Sequence, residues 1–179
     1  SQFGIMDTCG FPKGSFWQNR ACFVAEPMIK ILPPHWNFTK GETVKVMTVT
    51  NCDEVELFLN GKSLGRKPSD VCDQCFWEVE YESGTISAVG YREGVGVAKT
   101  ENVTSGAPAK IIIEPHRNYI NNDGCDTVIF NFSAVDKDGI PVETADNLIE
   151  LEIDGDGILL GVGNGDPNSH ESDHEPRRS

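Results

Sequence analysis

Carboxylates, thiols and glycine-dense turns are the groups in this sequence that could carry chemistry. Glu54 and Glu56 recur at a spacing of two, as do Glu78, Glu80 and Glu82. A working acid and nucleophile need two carboxyls roughly 5 Å apart in a pocket, with one pKa raised by burial. A spacing of two on a strand instead puts them side by side on one outer face. Neither set is therefore expected to be a catalytic pair. The six cysteines (Cys9, Cys22, Cys52, Cys72, Cys75 and Cys125) follow no disulfide-scaffold spacing, and free thiols are the expectation. Cys72-Asp-Gln-Cys75 is a single CxxC pair. Zinc would need a second pair, and none of the four histidines is placed to supply it. A redox motif would want a strand-to-helix setting, whereas this one lies in a polar stretch before Phe76-Trp77. Asp136-Lys-Asp138-Gly and Asp154-Gly-Asp156-Gly begin like calcium loops but lack the spaced bidentate Glu. They read as turns. Gly161-Val-Gly-Asn-Gly165 precedes no helix, so a phosphate cradle is not expected and a tight, irregular strand edge is. No metal and no cofactor is assigned from these residues.

The element that organises the rest is a hairpin over Val49–Gly65. Val55, Leu57 and Leu59 alternate with Glu54, Glu56 and Phe58, which is strand periodicity. Asn60-Gly61 supplies the positive φ angles of a two-residue turn, and Lys62–Gly65 starts the return strand. Thr43–Thr50 forms a strand before it. Cys75–Tyr81, Gly84–Arg92 and Gly96–Val103 form strands after it, with Glu93-Gly94 as a turn. Short strands at this spacing predict a β-sandwich of about seven strands over residues 40–105, with Trp77 and Tyr91 as aromatic core pieces. Thr104–Pro108 is a linker. Strands at Ala109–Glu114, Thr127–Val135 and Asn147–Ile153 then predict a second, incomplete sandwich over 106–179.

Residues 1–39 differ in character. They read as a loop, a helix from an N-cap at Ser15 to about Glu26, and a proline-limited connector. Phe16, Trp17, Ala21, Phe23 and Val24 make that helix apolar over much of its girth, so it should pack on a larger body. The chain also opens mid-pattern with no initiating Met, and it is expected to be a piece of something longer.

Eighteen glycines and ten prolines are spread through the chain and favour many turns. The net charge of −13 argues against nucleic acid or an anionic membrane as partner. No apolar run approaches the roughly 18 residues of a membrane span, and no basic-then-apolar leader is present.

Three segments taken in order resemble the C-terminal part of bacterial β-galactosidases of glycoside hydrolase family 2. FGIMDTCGFPKGSFW…EPMIKILPPHWNF is similar to the end of the catalytic barrel and its exit. VKVMTVTNCDEVELFLNGKSLGRK is similar to an immunoglobulin-like domain that follows. DKDGIPVETADNLIELEIDGDGILLGVGNGDP is similar to a further, invasin-like β domain. The resemblance implies a mainly β chain. Two immunoglobulin-like β-sandwich domains would stand in tandem after a short helix-containing remnant of a TIM barrel (residues 1–39), the second sandwich being incomplete. It further implies a retaining glycosidase whose two catalytic glutamates lie upstream of Ser1, so no residue here is assigned a catalytic role. The partners implied are the catalytic barrel of the parent chain and its carbohydrate substrate. A bacterial enzyme is implied, periplasmic or secreted in preference to cytoplasmic, and the acceptor patterns at Asn37, Asn102 and Asn131 are then expected to be unused. Within the barrel-like segments, Phe11, Trp17, His35 and Trp36 are the aromatics near the mouth. Trp36, Trp17 and His35 are candidates for the substrate rim, weighed against simple packing between barrel and sandwich.

Two functional readings follow, an accessory region bracing the barrel and a carbohydrate-binding or adhesion module. A sugar platform needs two or three exposed aromatics together, and most aromatics beyond residue 40 alternate within strands, which favours bracing. Truncated sheet edges and the apolar helix predict self-association.

Overall fold

Asn60 and Gly61 take φ values of 51° and 79°, and Leu59 pairs with Lys62 directly across them. This is the two-residue turn that the Asn-Gly pair favours. The computed structural model describes residues 4–70, 73–166, 168–172 and 176–178. Within them, Ile29–Leu32 (β1), Thr43–Thr50 (β2) and Gln74–Glu80 (β5) form one antiparallel sheet in the order β1-β2-β5. Glu54–Leu59 (β3), Lys62–Pro68 (β4), Thr85–Arg92 (β6) and Val95–Val103 (β7) form the other, in the order β4-β3-β6-β7. Glu93-Gly94, with φ of 51° and 80°, closes the β6–β7 hairpin as expected. Inward residues of both sheets (Val44, Val46, Val55, Leu57, Trp77 and Ile86 among them) make one buried cluster. This is an immunoglobulin-like sandwich of seven strands split three and four.

The N-terminal connector departs from expectation. Ile29–Leu32 is not a free extended link but the edge strand beside β2, with Ile31 opposite Thr48. Ile29 and Ile31 enter the core, because alternate residues of a strand reach the same face. Tyr91, expected in the core, stands on the outer face. Its hydroxyl donates to Glu56 at 2.9 Å, and the Arg66 guanidinium lies 3.7 Å from its ring centroid.

The helix (α1) runs over Gly14–Phe23, shorter than sequence suggests. Lys13, not Ser15, occupies the N-cap position, and it offers no side-chain cap. Val24 is already extended, three residues before Pro27. Ala21 is the buried residue of this helix, while Phe23 is 85% exposed. The helix lies against β1 and β2. Cys22 is disulfide-bonded, which corrects the expectation of free thiols. Cys9, Cys52, Cys75 and Cys125 are free. Cys75 is buried in β5, with its thiol 3.5 Å from the Pro68 carbonyl oxygen, and Cys72 of the CxxC pair lies outside the described residues.

Past residue 105 the character changes. Lys110–Pro115 (β8) pairs with Phe130–Val135 (β9), and Ile149–Glu150 (β10) pairs with Arg177–Arg178 (β11). Both pairs are antiparallel, and neither extends into a larger sheet among the described residues. Among those residues, Val135 and Val142 are the buried apolar side chains beyond position 105. Ile111, Ile112 and Ile113 are all 41–55% exposed, so β8 presents aliphatics on both faces. The second unit is an incomplete sandwich with very little core of its own.

Candidate functional site

Two of the sequence-predicted rim residues, Trp36 and His35, lie at one end of the first sandwich. β1 exits there, β5 ends there, and β7 gives way to the linker. Trp36 is 1% exposed and belongs to the core. Its ring meets Tyr81 edge-on at 5.3 Å and Phe38 at 5.7 Å. Its indole N–H donates to the Glu82 carbonyl at 3.0 Å, so the polar edge is satisfied inside. Neither ring face is open to stack on a sugar, which removes Trp36 from the rim candidates on steric grounds. His35 lies half-buried beside Phe38, with ring centroids 4.8 Å apart. Its Nδ1 accepts from the Asn37 N–H at 3.3 Å. Trp17, on α1, is half-buried against Phe16, with Lys30 Nζ at 5.1 Å and Arg20 at 5.8 Å from its ring. Phe11 is 46% exposed, in a separate N-terminal hairpin. The structure therefore brings Trp36 and His35 together and leaves Trp17 and Phe11 elsewhere.

What holds this corner is a set of polar staples. Asn37 Nδ2 donates to the Ser105 carbonyl at 2.9 Å, while Asn37 Oδ1 accepts from the Ser105 N–H at 3.1 Å. Asn102 Nδ2 donates to Pro33 O at 2.9 Å. Both asparagines begin glycosylation-type tripeptides, yet their amides are spent on backbone. One residue further along the linker, the Gly106 N–H donates to Asp136 Oδ2 at 2.8 Å. Asp136 Oδ1 accepts from the Asp138 and Ile140 N–H groups at 2.9 Å each. The motif that opened like a calcium loop is thus a turn whose carboxylate is filled by backbone donors. Those donors, the Gly106 N–H foremost and Ile140 next, hold Asp136 below the usual carboxylate range. Asn37 and Asp136 grip the linker from its two sides. Sequence reasoning missed this role because a staple and a modification or calcium motif are spelled with the same short polar residues.

The carboxylates offer no acid–nucleophile arrangement where sequence looked for one. Glu54 pairs with Arg66 at 2.5 Å, both partly exposed. Glu56 accepts from Ser63 at 2.6 Å and Tyr91 at 2.9 Å. Those two hydroxyls, Ser63 first, lower its pKa. A general acid needs the opposite direction. Glu78, Glu80 and Glu82 are exposed along and just beyond β5. The second unit has an open groove of about 340 Å³ lined by Arg117, Tyr119, Ile120, Val128 and Phe130. Arg117 lies 5.3 Å from the Tyr119 ring, on one face of it, and pairs with Asp126. The Asn121 N–H and then Arg117 hold Asp126 at about 2. Among the described residues, no group of three His, Cys, Asp or Glu side chains converges to hold a metal.

Residues 111–179 match the family described as glycoside hydrolase family 2 C-terminal domain 5. Residues 41–98 match a domain of unknown function, DUF4982. Residues 111–179 thus form a glycoside hydrolase family 2 C-terminal domain, and the chain as a whole is similar to C-terminal regions of enzymes of that family. It is 36% identical over 180 residues to a β-galactosidase of Bacteroides ovatus, covering 99% of the chain and 21% of that protein. A putative β-glucuronidase of Formosa agariphila is 35% identical over 170 residues, covering 92% of the chain and 16% of that protein. In three dimensions the chain superposes on a β-glycosidase from Bacteroides vulgatus with a TM-score of 0.91 and 33% identity, over 98% of the chain and 23% of the other. The chain spans about a fifth of the length of these glycoside hydrolase relatives. It is mainly β throughout, as read from the sequence.

Proposed function

We propose that this family 2 region is a non-catalytic accessory part of a bacterial retaining glycosidase. That enzyme removes terminal β-galactosides, and its two catalytic glutamates lie on a barrel N-terminal to this chain. Residues 1–39 finish that barrel, 40–105 form the immunoglobulin-like sandwich and 106–179 the second β domain, with β1 lent by the first segment to the sandwich. The sandwiches brace the barrel, and the N-terminal segment shapes the rim of its mouth, with Trp17 and His35 as the aromatic candidates left. The observation that carries this is the combination of coverage and chemistry. Similarity runs through nearly all of this chain but only about a fifth of each relative, and the carboxylates of β3, β5 and the 136–140 turn are spread on open faces or tied to backbone. The exposed aliphatics of β8 and the exposed Phe23 fit surfaces that a larger body covers. The disulfide at Cys22 fits an oxidising, periplasmic or extracellular setting.

The test is hydrolysis of chromogenic β-galactosides and β-glucuronides by this chain and by the full-length protein in parallel. Turnover of the galactoside by the full-length protein only is the expected result. Turnover by the 179-residue chain alone would overturn the accessory role, and preference for the glucuronide would reassign the substrate.

A further inference from the structure

Two segments far apart in the sequence meet in this chain. Residues 5–13 form a tight hairpin: Asp7 N donates to Phe11 O at 2.9 Å, and Lys13 N donates to Ile5 O at 3.0 Å. The Asp7 side chain closes the turn, its Oδ1 accepting from Cys9 N at 2.9 Å and Phe11 N at 2.8 Å. More than 150 residues later, the glycine-dense stretch 161–166 lies directly on this hairpin. A Cβ on Gly163 would stand 2.6 Å from Cys9 Sγ, with no other atom outside the immediate chain within 4 Å. A Cβ on Gly165 would collide with the Asp7 carboxylate, its Cγ only 2.7 Å away, and Gly165 also holds φ at +74°. Neither approach leaves room for a Cβ unless the Cys9 or Asp7 side chain shifts. The strap is shaped by its own turns, with Asp166 N donating to Asn164 Oδ1 at 3.0 Å and Asn168 N to Asp166 Oδ1 at 2.8 Å.

We propose that residues 161–166 are a strap that seats the 5–13 hairpin, so that Gly163 and Gly165 are positioning residues for the rim of the glycosidase active site. This gives the glycine run a role that neither a phosphate cradle nor a loose strand edge describes. It also gives the second β unit a task within the parent enzyme, although that unit has little core of its own. The inference rests on the reading that residues 1–39 border the catalytic barrel.

The strap is tested apart from that reading by Gly163→Ala, Cys9→Ala and the double variant, in this chain and in the full-length protein. Gly163 does not take the left-handed backbone region, so alanine there introduces steric crowding alone. Amide exchange over 5–13 should rise about 10-fold or more in Gly163→Ala. In the full-length protein, KM for an aryl β-galactoside should rise by about 10-fold, with kcat affected less. Removing the Cys9 sulfur makes room for the added methyl, so the double variant should restore both readouts to within about 2-fold. Unchanged exchange in Gly163→Ala, or a double variant that stays impaired, overturns the strap. Altered exchange with unchanged KM overturns the positioning role while leaving the accessory reading intact. Full-length protein without glycosidase activity refutes the accessory reading, and with it the positioning role, while exchange still decides the strap. Should Gly163→Ala fail to fold, Cys9→Ala alone loosens the same contact. Exchange over 5–13 then rises several-fold if the contact matters, and stays flat if the strap is wrong.

Discussion

Asn51→Ala should detach the N-terminal segment from the sandwich. Asn51 follows β2 and is 6% exposed. Its Nδ2 donates to the carbonyls of Val24 and Glu26 at 2.8 Å each, and its Oδ1 accepts from Met28 N at 2.9 Å. One side chain therefore satisfies three backbone groups in the stretch that leads from α1 to β1. Arg92 adds a second tie, donating to Ala25 O at 3.0 Å and Asn51 O at 3.1 Å. Each lost bond in a part-buried setting is worth on the order of 1 kcal/mol, so alanine should cost about 2–4 kcal/mol. For a chain of this size that is a fall in Tm of roughly 5–15 °C. Amide exchange should accelerate most over residues 14–28 and least in β3 and β6. Asn51→Asp should be at least as damaging at neutral pH, because it turns two donations into carboxylate–carbonyl repulsion. Part of that loss should return as pH falls through the carboxylate range, since a protonated carboxyl donates once. Urea unfolding with a loss below about 0.5 kcal/mol, or unchanged exchange over 24–28, would refute the staple.

Leu57→Ala, at a fully buried position of β3, should cost about 2–5 kcal/mol in urea unfolding monitored at Trp36 and Trp77. The carboxyl of Asp126 is held at about 2 by the Asn121 N–H and Arg117. A depressed folded pKa gives stabilisation that is complete above the ordinary Asp range and lost as pH falls toward about 2. Protection of the amides over 117–127, measured against the intrinsic exchange rate at each pH, should therefore fall between roughly pH 4 and pH 2, and Asp126→Asn should flatten that dependence. Light scattering of this chain should show concentration-dependent self-association, reduced by Ile111→Lys with Ile113→Lys on β8; a clean monomer at high concentration would count against open β8 faces as sticky surfaces.

The parts of the fold legible in sequence were those set by local pattern. Asn60-Gly61 and Glu93-Gly94 read as turns because few residue pairs accept two consecutive positive φ angles. β2 and β3 read as strands because apolar residues alternate along them. The second unit read as incomplete for a similar reason, since three or four strands cannot close a sandwich. Long-range partners were what stayed hidden. Nothing within Met28–Leu32 shows that Ile29 and Ile31 face a core built by β2 and β6, because a proline-bounded stretch of five residues is too short for period to decide. Tyr91 looked like core because aromatics in strands usually are. Its hydroxyl instead found Glu56, and its ring face found Arg66, on a wet surface.

The candidate site was hidden for a sharper reason. Trp36 stands as an aromatic near an expected barrel exit, but burial depends on what packs against the ring, and Tyr81 comes from a distant part of the chain while Phe38 folds back from two residues on. Asn37, Asp136 and Gly161–Gly165 were each noticed for a motif, and each turned out to act through a contact that the motif does not encode. In all three, the decisive atoms belong to residues at least 30 positions away or at the other end of the chain: Ser105, Gly106, Cys9 and Asp7. Small polar and glycine residues are where a β chain fixes the angles between its units, since they bring backbone close to backbone without a bulky side chain between. A region that positions another domain should concentrate its information at such places. In this chain they mark the linker, the helix exit and the contact between the 5–13 hairpin and the 161–166 stretch.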